Sequence, residues 1–121
     1  MDDEEMLRNL AEQMLGRLGY EAELAKDGIE AIQLYKGVRE AGKPFDAVIL
    51  DFTIKGGMGG KEAIKELLKI DPEAKAIISS GYSNDPIMSD FQAYGFRGAL
   101  PKPYQMKGLK GVLEKVLSDE G

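Results

Sequence analysis

The stretch "VILDFTIKGGMGG", residues 48–60, changes from apolar to glycine-rich around one carboxylate, Asp51. The apolar part extends back to Asp46, and a nearly continuous apolar run is typical of a strand that is covered on both faces. Because the residues after Asp51 are rich in glycine, the chain can turn tightly there before a helix begins. The stretch therefore predicts a buried parallel strand over residues 46–50 that ends at an acidic residue.

Helix-like and strand-like patterns alternate along the rest of the chain. Apolar residues at helical spacing predict helices, whereas period-two alternation or a short apolar run predicts a strand. Predicted helices cover residues 4–18, 27–39, 60–70 and 85–94, with a last helix that ends near Ser118, and predicted strands cover 20–25, 46–50, 74–79 and 97–100. The predicted helix boundaries are Asp27 with Glu30, Asp85 with Pro86, and Gly95. This order predicts an α/β domain with a parallel sheet and helices on both faces.

The composition excludes several kinds of chemistry. The chain has 121 residues, a net charge of −5, and neither cysteine nor histidine. Disulfides, thiolate or imidazole metal ligands, Ser-His-Asp triads and Cys nucleophiles are therefore excluded within it. The negative charge argues against binding to nucleic acid. No membrane span or signal peptide is visible, which predicts a cytoplasmic domain without membrane contact.

Polar side chains follow three of the predicted strands. Asp51, the pair Ser79 and Ser80, and Lys102 each come after a different strand. In a parallel sheet, functional groups collect just beyond the carboxyl ends of the strands. We therefore expect these side chains to lie near one another.

The acidic pair Asp2 and Asp3 lies just before the first predicted helix. Acidic residues at this position can simply cap the helix and interact with its dipole. If the pair meets Asp51, the three carboxylates would repel one another, and a hard cation with oxygen ligands would relieve the repulsion. Mg2+ fits this role best, because it needs few protein ligands.

Asp51 could cap the turn that follows it. An ionised carboxylate beside a cation can also attack phosphorus and form an acyl phosphate. Such a transfer needs mainly positioning and neutralisation of the phosphoryl oxygens. Lys102, which stands between two prolines, and one of the two serines are the candidates for that neutralisation.

With these residues the sequence resembles the receiver domain of two-component response regulators, across essentially the whole chain. The segments that carry the resemblance are "DDEEM", "DAVILDFTIKGGMGG", "IISSGYS" and "LPKPY", and their style is most similar to receivers of hybrid sensor histidine kinases. The resemblance implies one receiver domain over residues 1–121 with a three-layer flavodoxin-like fold and strand order 2-1-3-4-5. It also implies a signalling phosphoacceptor that catalyses only its own phosphorylation and dephosphorylation. The implied partner is a histidine kinase, or a histidine phosphotransfer domain.

The resemblance also implies roles for individual residues. Asp51 would accept a phosphoryl group from a partner phosphohistidine, and Ser80 and Lys102 would hold the phosphoryl oxygens. Ser79 is the second candidate for the hydroxyl, since Ser80 precedes the small Gly81. The implied Mg2+ ligands are Asp3, Asp51 and the backbone carbonyl of Thr53, with Asp2 acting through water. The Lys102–Pro103 peptide bond is expected to be cis.

Two features depart from the family pattern. Ala99 stands three residues before Lys102, where receivers often carry a Tyr or Phe that moves during signalling. The apolar first strand, expected between residues 20–25 and 46–50, is also missing, so we expect an N-terminally truncated domain. Three consequences stay open: residues that precede Met1, a second chain that fills the gap by strand or element exchange in a homodimer, or inward movement of residues 20–25 to give a rearranged four-stranded sheet.

Two other functions remain as alternatives. A receiver-like interaction module that is not phosphorylated would be favoured if the acidic pair does not reach Asp51. A Mg2+-dependent phosphohydrolase with an Asp nucleophile commonly has a second Asp two residues later as its acid–base group. Thr53 stands at that position, so the hydrolase is disfavoured.

Overall fold

The computed structural model describes residues 1–81 and 86–118. The elements are α1 (Glu5–Arg17), α2 (Gly28–Glu40), β1 (Val48–Asp51), α3 (Gly60–Ile70), β2 (Ala76–Ser80), α4 (Pro86–Ser89), a 3-10 helix (Phe91–Tyr94), β3 (Gly98–Pro101) and α5 (Met106–Ser118). Within the described residues, none of the helices has the length and apolar character needed to cross a bilayer.

The three strands form one parallel sheet with β2 in the centre. Asp51 lies opposite Ser79 in the β1–β2 register, and Ser80 lies opposite Pro101 in the β2–β3 register. The carboxyl ends of all three strands therefore meet at one edge of the sheet, as the sequence predicts. The strand boundaries differ from the predicted ones by one or two residues.

Two apolar clusters cover the two faces of the sheet. On one face, Ile78 of β2 packs with Tyr35 of α2 and Leu67 of α3. On the other face, Ile77 packs with Met14 of α1 and Leu113 of α5. Neighbouring strand residues point to opposite faces, so Ile77 and Ile78 belong to different clusters. The result is the predicted three-layer arrangement, with a sheet between two helical layers.

The helix boundaries are mostly confirmed. Asp27 caps α2, because its side chain accepts a hydrogen bond from the Glu30 amide at 2.9 Å. The predicted helix over residues 85–94 is wrong in part, since α4 ends at Ser89 and a separate 3-10 helix follows. Gly95 ends that 3-10 helix with a φ of 99°, as its position predicts. The predicted cap at Asp85 lies outside the described residues.

The predicted strand over residues 20–25 does not form. Its residues keep the expected alternation, with Glu21 and Glu23 exposed and Ala22 and Leu24 half-buried. The sheet nevertheless contains only β1, β2 and β3 within the described residues. The four-stranded rearrangement is therefore wrong. A strand needs the main chain of a neighbouring strand as well as a pattern of buried side chains.

Met1 and Asp2 lie between residues 20–25 and β1. The Met1 amino group donates a hydrogen bond to the Ile49 carbonyl at 2.7 Å, and the Asp51 amide donates to the Met1 carbonyl at 3.0 Å. On the other side, the Asp2 amide donates to the Ala25 carbonyl at 3.0 Å. The acidic pair is therefore not displaced from the sheet edge.

Candidate functional site

Asp51, Ser80 and Lys102 lie together at the carboxyl edge of the sheet. Asp51 is the last residue of β1 and Ser80 is the last residue of β2. The Lys102 amide donates to the Ser80 carbonyl at 2.9 Å, which continues the β2–β3 pairing past the end of β3. The Lys102–Pro103 peptide bond is cis, as the resemblance implies. The register of the three strands therefore places Asp51, Ser80 and Lys102 at the same edge of the sheet.

Lys102 joins two carboxylates from opposite ends of the site. Its Nζ lies 2.7 Å from Oδ2 of Asp2 and 3.1 Å from Oδ1 of Asp51. Asp2 is 3% exposed and Asp51 is 6% exposed, so both carboxylates are removed from bulk water. Buried charges need partners of opposite sign, and one ammonium serves both.

Burial and charge act in opposite directions on these groups. Burial raises the pKa of Asp51, and the attraction and hydrogen bond of Lys102 partly oppose that increase. Burial alone would lower the pKa of Lys102, but its hydrogen bond to Asp2 and the charge of Asp51 raise it above its ordinary value. Lys102 is therefore held as the ammonium, which is the form that can neutralise an anionic group.

Main-chain hydrogen bonds fix Asp2 at the start of α1. The Glu4 amide donates to Oδ1 of Asp2 at 3.0 Å, and Nη1 of Arg8 donates to the Asp2 carbonyl at 2.8 Å. Glu4 is the N-cap residue of α1 and the helix has no side-chain cap hydrogen bond, so the predicted capping role of Asp2 is wrong and its contact with the Glu4 amide precedes the helix. Oδ1 serves the backbone, while Oδ2 faces Lys102.

The oxygen donors that could hold a cation come mainly from the first residues. Carboxylate oxygens of Asp2, Asp3 and Glu4 lie within 4.8 Å of one another. Glu4 was not a candidate from the sequence, because an acidic residue at a helix start is explained by the helix dipole. Hard carboxylate donors of this kind fit Mg2+. Asp51 is linked to Asp2 by Lys102, whose Nζ contacts both carboxylates.

Thr53, the predicted carbonyl ligand, lies in the exposed loop between β1 and α3. Close packing of glycines shapes this loop. A Cβ on Gly59 would collide with the carbonyl oxygen of Phe52, and a Cβ on Gly60 would lie 2.8 Å from the carbonyl oxygen of Asp51. Gly56 has a φ of +70°, in the left-handed region that favours glycine. The glycines therefore let α3 begin directly against the end of β1.

Ser79 and Ser80 have different surroundings, although both are buried. Ser79 donates a hydrogen bond through Oγ to the hydroxyl of Tyr104 at 3.0 Å. Burial raises the pKa of Tyr104, which is therefore a neutral phenol in this contact. Tyr104 has no predicted role in the sequence analysis; its position after Pro103, close to Lys102, is the signal that points to it.

Ala99, at the position where receivers often have an aromatic residue, lies in the middle of β3. It is half-buried and packs against the cluster that contains Ile78. Ala99 pairs with Ile78 in the β2–β3 register. The small side chain of Ala99 is therefore part of the aliphatic packing around β2.

Comparisons with known proteins show the family of the chain. The family described as the response regulator receiver domain matches residues 1–114. The chain is 34% identical to the chemotaxis protein CheY of Thermotoga maritima over 117 residues, which are 96% of this chain and 92% of that protein. It is 30% identical to the sensor kinase CckA of Brucella abortus over 120 residues, which are 99% of this chain but 12% of that protein.

Solved structures show the same fold. The receiver domain of NtrX from Brucella abortus superposes with a TM-score of 0.84 at 25% identity, covering 98% of this chain and 96% of that one. The receiver domain of a sensor histidine kinase from Pseudomonas aeruginosa has a TM-score of 0.83 at 21% identity, covering 98% and 94%. The fold is therefore the flavodoxin-like receiver fold of two-component signalling. The chain belongs to the response regulator receiver domain family.

Proposed function

We propose that the chain is a phosphoacceptor in a two-component phosphorelay and that Asp51 receives the phosphoryl group. The observation that carries the proposal is the pairing of Asp51, buried at the end of β1, with the ammonium of Lys102. A carboxylate that is shielded from water but held beside a cation is a competent nucleophile toward phosphorus.

In the proposed reaction an Asp51 oxygen attacks the phosphorus of a partner phosphohistidine. The new P–O bond forms as the P–N bond breaks, and the imidazole leaves with the electron pair. Lys102 neutralises one phosphoryl oxygen, and the hydroxyl of Ser80 donates to another. Little more than positioning and charge neutralisation is needed for such a transfer.

Asp3 and Asp51, with the carbonyl of Thr53, are the proposed Mg2+ ligands, and Asp2 is proposed to act through water. The convergence of the Asp2, Asp3 and Glu4 carboxylates supports a cation near them. When bound, Mg2+ would supply positive charge to the phosphoryl oxygens. The Pseudomonas receiver domain has a magnesium ion coordinated in its active site cleft. Lys102 contacts one oxygen of Asp2 and one oxygen of Asp51, so a cation at the same carboxylates would experience the repulsion of its ammonium.

The proposed partner is a histidine kinase or a histidine phosphotransfer domain in the cytoplasm. The similarity to part of a sensor kinase supports this assignment. The proposed activity is limited to phosphorylation and dephosphorylation of the domain itself. A receiver-like module that is never phosphorylated is the remaining alternative.

Incubation with acetyl phosphate and Mg2+, followed by intact mass measurement, tests the proposal. We expect the mass of one phosphoryl group to be added to the wild-type chain and not to Asp51→Asn. Asp46→Asn is the matched control, because Asp46 is exposed and lies before the opposite end of β1. Failure of the wild-type chain to be modified, or equal modification of Asp51→Asn, would refute the phosphoacceptor assignment and favour the interaction module.

A further inference from the structure

The β1–α3 loop, residues 52–59, carries Thr53 and has its two ends close together. At the start of the loop, the Phe52 amide donates a hydrogen bond to the Ser79 carbonyl of β2 at 2.8 Å. At the end of the loop, a Cβ on Gly59 would collide with the carbonyl oxygen of Phe52, so these two residues are in close contact. The loop therefore leaves and rejoins the edge of the sheet at almost the same place.

The far part of the loop is held by the first turn of α2. Gly28 is the first residue of this helix, and its amide donates a hydrogen bond to the Met58 carbonyl at 2.7 Å. The first amides of a helix have no acceptor within the helix, so the loop supplies the acceptor for one of them. The bond therefore ties the loop to a helix that contains none of the proposed site residues.

Gly28 has no room for a side chain. The residue is buried, and an added Cβ would lie 2.7 Å from Cγ of Met58 and 2.9 Å from the Met58 carbonyl oxygen. The φ angle of Gly28 is not positive, so glycine is required here by the lack of space and not by the backbone conformation. A side chain at this position would push the main chain of Met58 away from α2.

The start of α2 is well capped and gives the loop a firm support. In addition to the cap that Asp27 forms, the Glu30 carboxylate accepts a hydrogen bond from the Lys26 amide at 3.2 Å. An added Cβ on Gly57 would lie 3.5 Å from Cβ of Asp27, so the loop also packs against the capping residue. Two neighbouring loop residues thus contact two neighbouring residues of the helix start.

We propose that Gly28 is a positioning residue of the phosphoacceptor site. Its amide and its lack of a side chain determine where the β1–α3 loop lies, and with it the carbonyl that Thr53 offers to a cation. The inference rests on the proposed function in one respect, which is the assignment of Thr53 as a Mg2+ ligand. Thr53 is exposed, so the anchors at Phe52 and Met58 hold its backbone more than its own side chain does.

Gly28→Ala tests the proposal in NMR spectra and in calorimetric titrations with Mg2+. Without Mg2+, we expect its shift changes to reach the amides of Phe52 and Thr53. We expect the Mg2+ affinity to fall by about tenfold or more, as is typical when a residue that orients a metal ligand is altered. Gly37→Ala should change neither quantity, because it adds the same methyl group to the same helix where no atom lies within 4 Å.

Hydrogen exchange in the wild-type chain gives a second readout. A cation that binds Thr53 holds the loop in place, so Mg2+ should slow the exchange of the Gly28 amide. Unchanged exchange of this amide at saturating Mg2+ would overturn the proposal.

Met58→Ala separates the Met58 carbonyl from the Met58 side chain. The change removes Cγ and keeps the hydrogen bond, so it should leave the Mg2+ affinity unchanged. The double variant with Gly28→Ala should bind Mg2+ as weakly as Gly28→Ala alone, because the carbonyl oxygen stays 2.9 Å from the added Cβ. Recovery of the wild-type affinity in the double variant would overturn the proposal, since the collision would then involve only a side chain.

A purely structural role of Gly28 predicts a different result. Gly28→Ala would then lower the free energy of unfolding in urea, while the shifts of Phe52 and Thr53 and the Mg2+ affinity would match the wild type. A wild-type chain that binds no Mg2+ would refute the metal assignment of the proposed function. The shifts of Phe52 and Thr53 are measured without Mg2+, so they would still support or overturn the positioning of the loop by Gly28.

Discussion

The Nζ atom of Lys102 lies 3.1 Å from Oδ1 of Asp51 and is also in contact with Asp2. One ammonium therefore contacts two buried carboxylates. The same atom is the proposed ligand of a phosphoryl oxygen. In the proposed reaction Lys102 therefore gains a phosphoryl oxygen as a further anionic partner.

Lys102→Met is expected to tighten Mg2+ binding by about tenfold or more, since an ammonium at ~4 Å repels a cation by a few kcal/mol even at moderate dielectric and 1.4 kcal/mol is a factor of ten. Isothermal titration calorimetry measures this affinity. The same variant should be phosphorylated by acetyl phosphate roughly a hundredfold more slowly, because it loses a charge that stabilises the transition state. Lys107→Met, on the exposed face of α5, should change neither quantity. Unchanged or weaker Mg2+ binding in Lys102→Met would contradict the competition between the two cations.

Ser80→Ala is expected to slow phosphorylation by acetyl phosphate by about tenfold or more, because one hydrogen bond to the phosphoryl group is lost. Ser79→Ala should leave that rate within about twofold, since Ser79 already donates to Tyr104. Ser79→Ala should instead lower the free energy of unfolding by about 1 kcal/mol, because the hydrogen bond to Tyr104 is lost. Rates from intact mass against time and unfolding in urea separate the two effects. A larger rate loss for Ser79→Ala than for Ser80→Ala would reverse the assignment of the hydroxyl.

Gly59→Ala is expected to lower the free energy of unfolding by about 2 kcal/mol, because the added methyl group overpacks against the carbonyl of Phe52. The collision should displace the loop that carries Thr53, so Mg2+ affinity should fall as well. Gly37→Ala, inside α2, is the control; no atom lies within 4 Å of its added Cβ. That change should stabilise the domain by up to about 1 kcal/mol through helix propensity. Urea unfolding measures the free energy of unfolding, and calorimetry measures the Mg2+ affinity. Unchanged stability of Gly59→Ala would show that the loop accommodates the added methyl group without a cost in free energy.

Asp71→Asn is expected to reduce the free energy of unfolding at pH 7 by about 1 kcal/mol, since Asp71 accepts a hydrogen bond from the Tyr35 hydroxyl at 2.7 Å. That hydrogen bond lowers the pKa of Asp71 in the folded state. Because the pKa of Asp71 is lower in the folded state, its ionised carboxylate stabilises the fold fully above the unfolded pKa of about 4. This stabilisation is lost as the pH falls through the folded pKa. The difference between wild type and variant should therefore be constant from pH 7 to 5 and shrink below about pH 4.

Tyr35→Phe is the control for this pH dependence, because it removes the hydroxyl donor itself, from a residue that is 2% exposed, whereas Asp71→Asn keeps an oxygen acceptor and removes the charge. The double variant should cost less than the sum of the two single variants. Denaturant unfolding at several pH values measures each free energy. Additive losses would show that the Tyr35–Asp71 bond contributes nothing to stability.

The sequence predicts the parts of the fold that are local. Apolar runs locate β1 and β2, and Asp27 locates the start of α2, because each pattern expresses a preference within a few residues. The meeting of Asp51, Ser80 and Lys102 is also predictable, since parallel strands end at a common edge. This prediction needs only the order of helices and strands along the chain.

The remaining features depend on residues far apart in the chain. Residues 20–25 have a strand pattern, yet within the described residues they join no sheet, although Ala25 accepts a hydrogen bond from the Asp2 amide. No local pattern reports this. The bond of Ser79 to Tyr104 and the contact of Lys102 with Asp2 depend on side-chain positions that only the packed structure fixes. The break at Ser89 likewise has no signal in the apolar pattern of residues 85–94.

Asp2 makes two contacts with its two carboxylate oxygens. Oδ1 accepts a hydrogen bond from the Glu4 amide, and Oδ2 contacts Lys102. A ligand that changes the contact between Lys102 and Asp2 therefore acts on the segment that leads into α1. Equilibrium linkage requires this effect to be reciprocal: whatever free energy Mg2+ binding adds to the order of this segment, ordering of the segment adds to the binding of Mg2+.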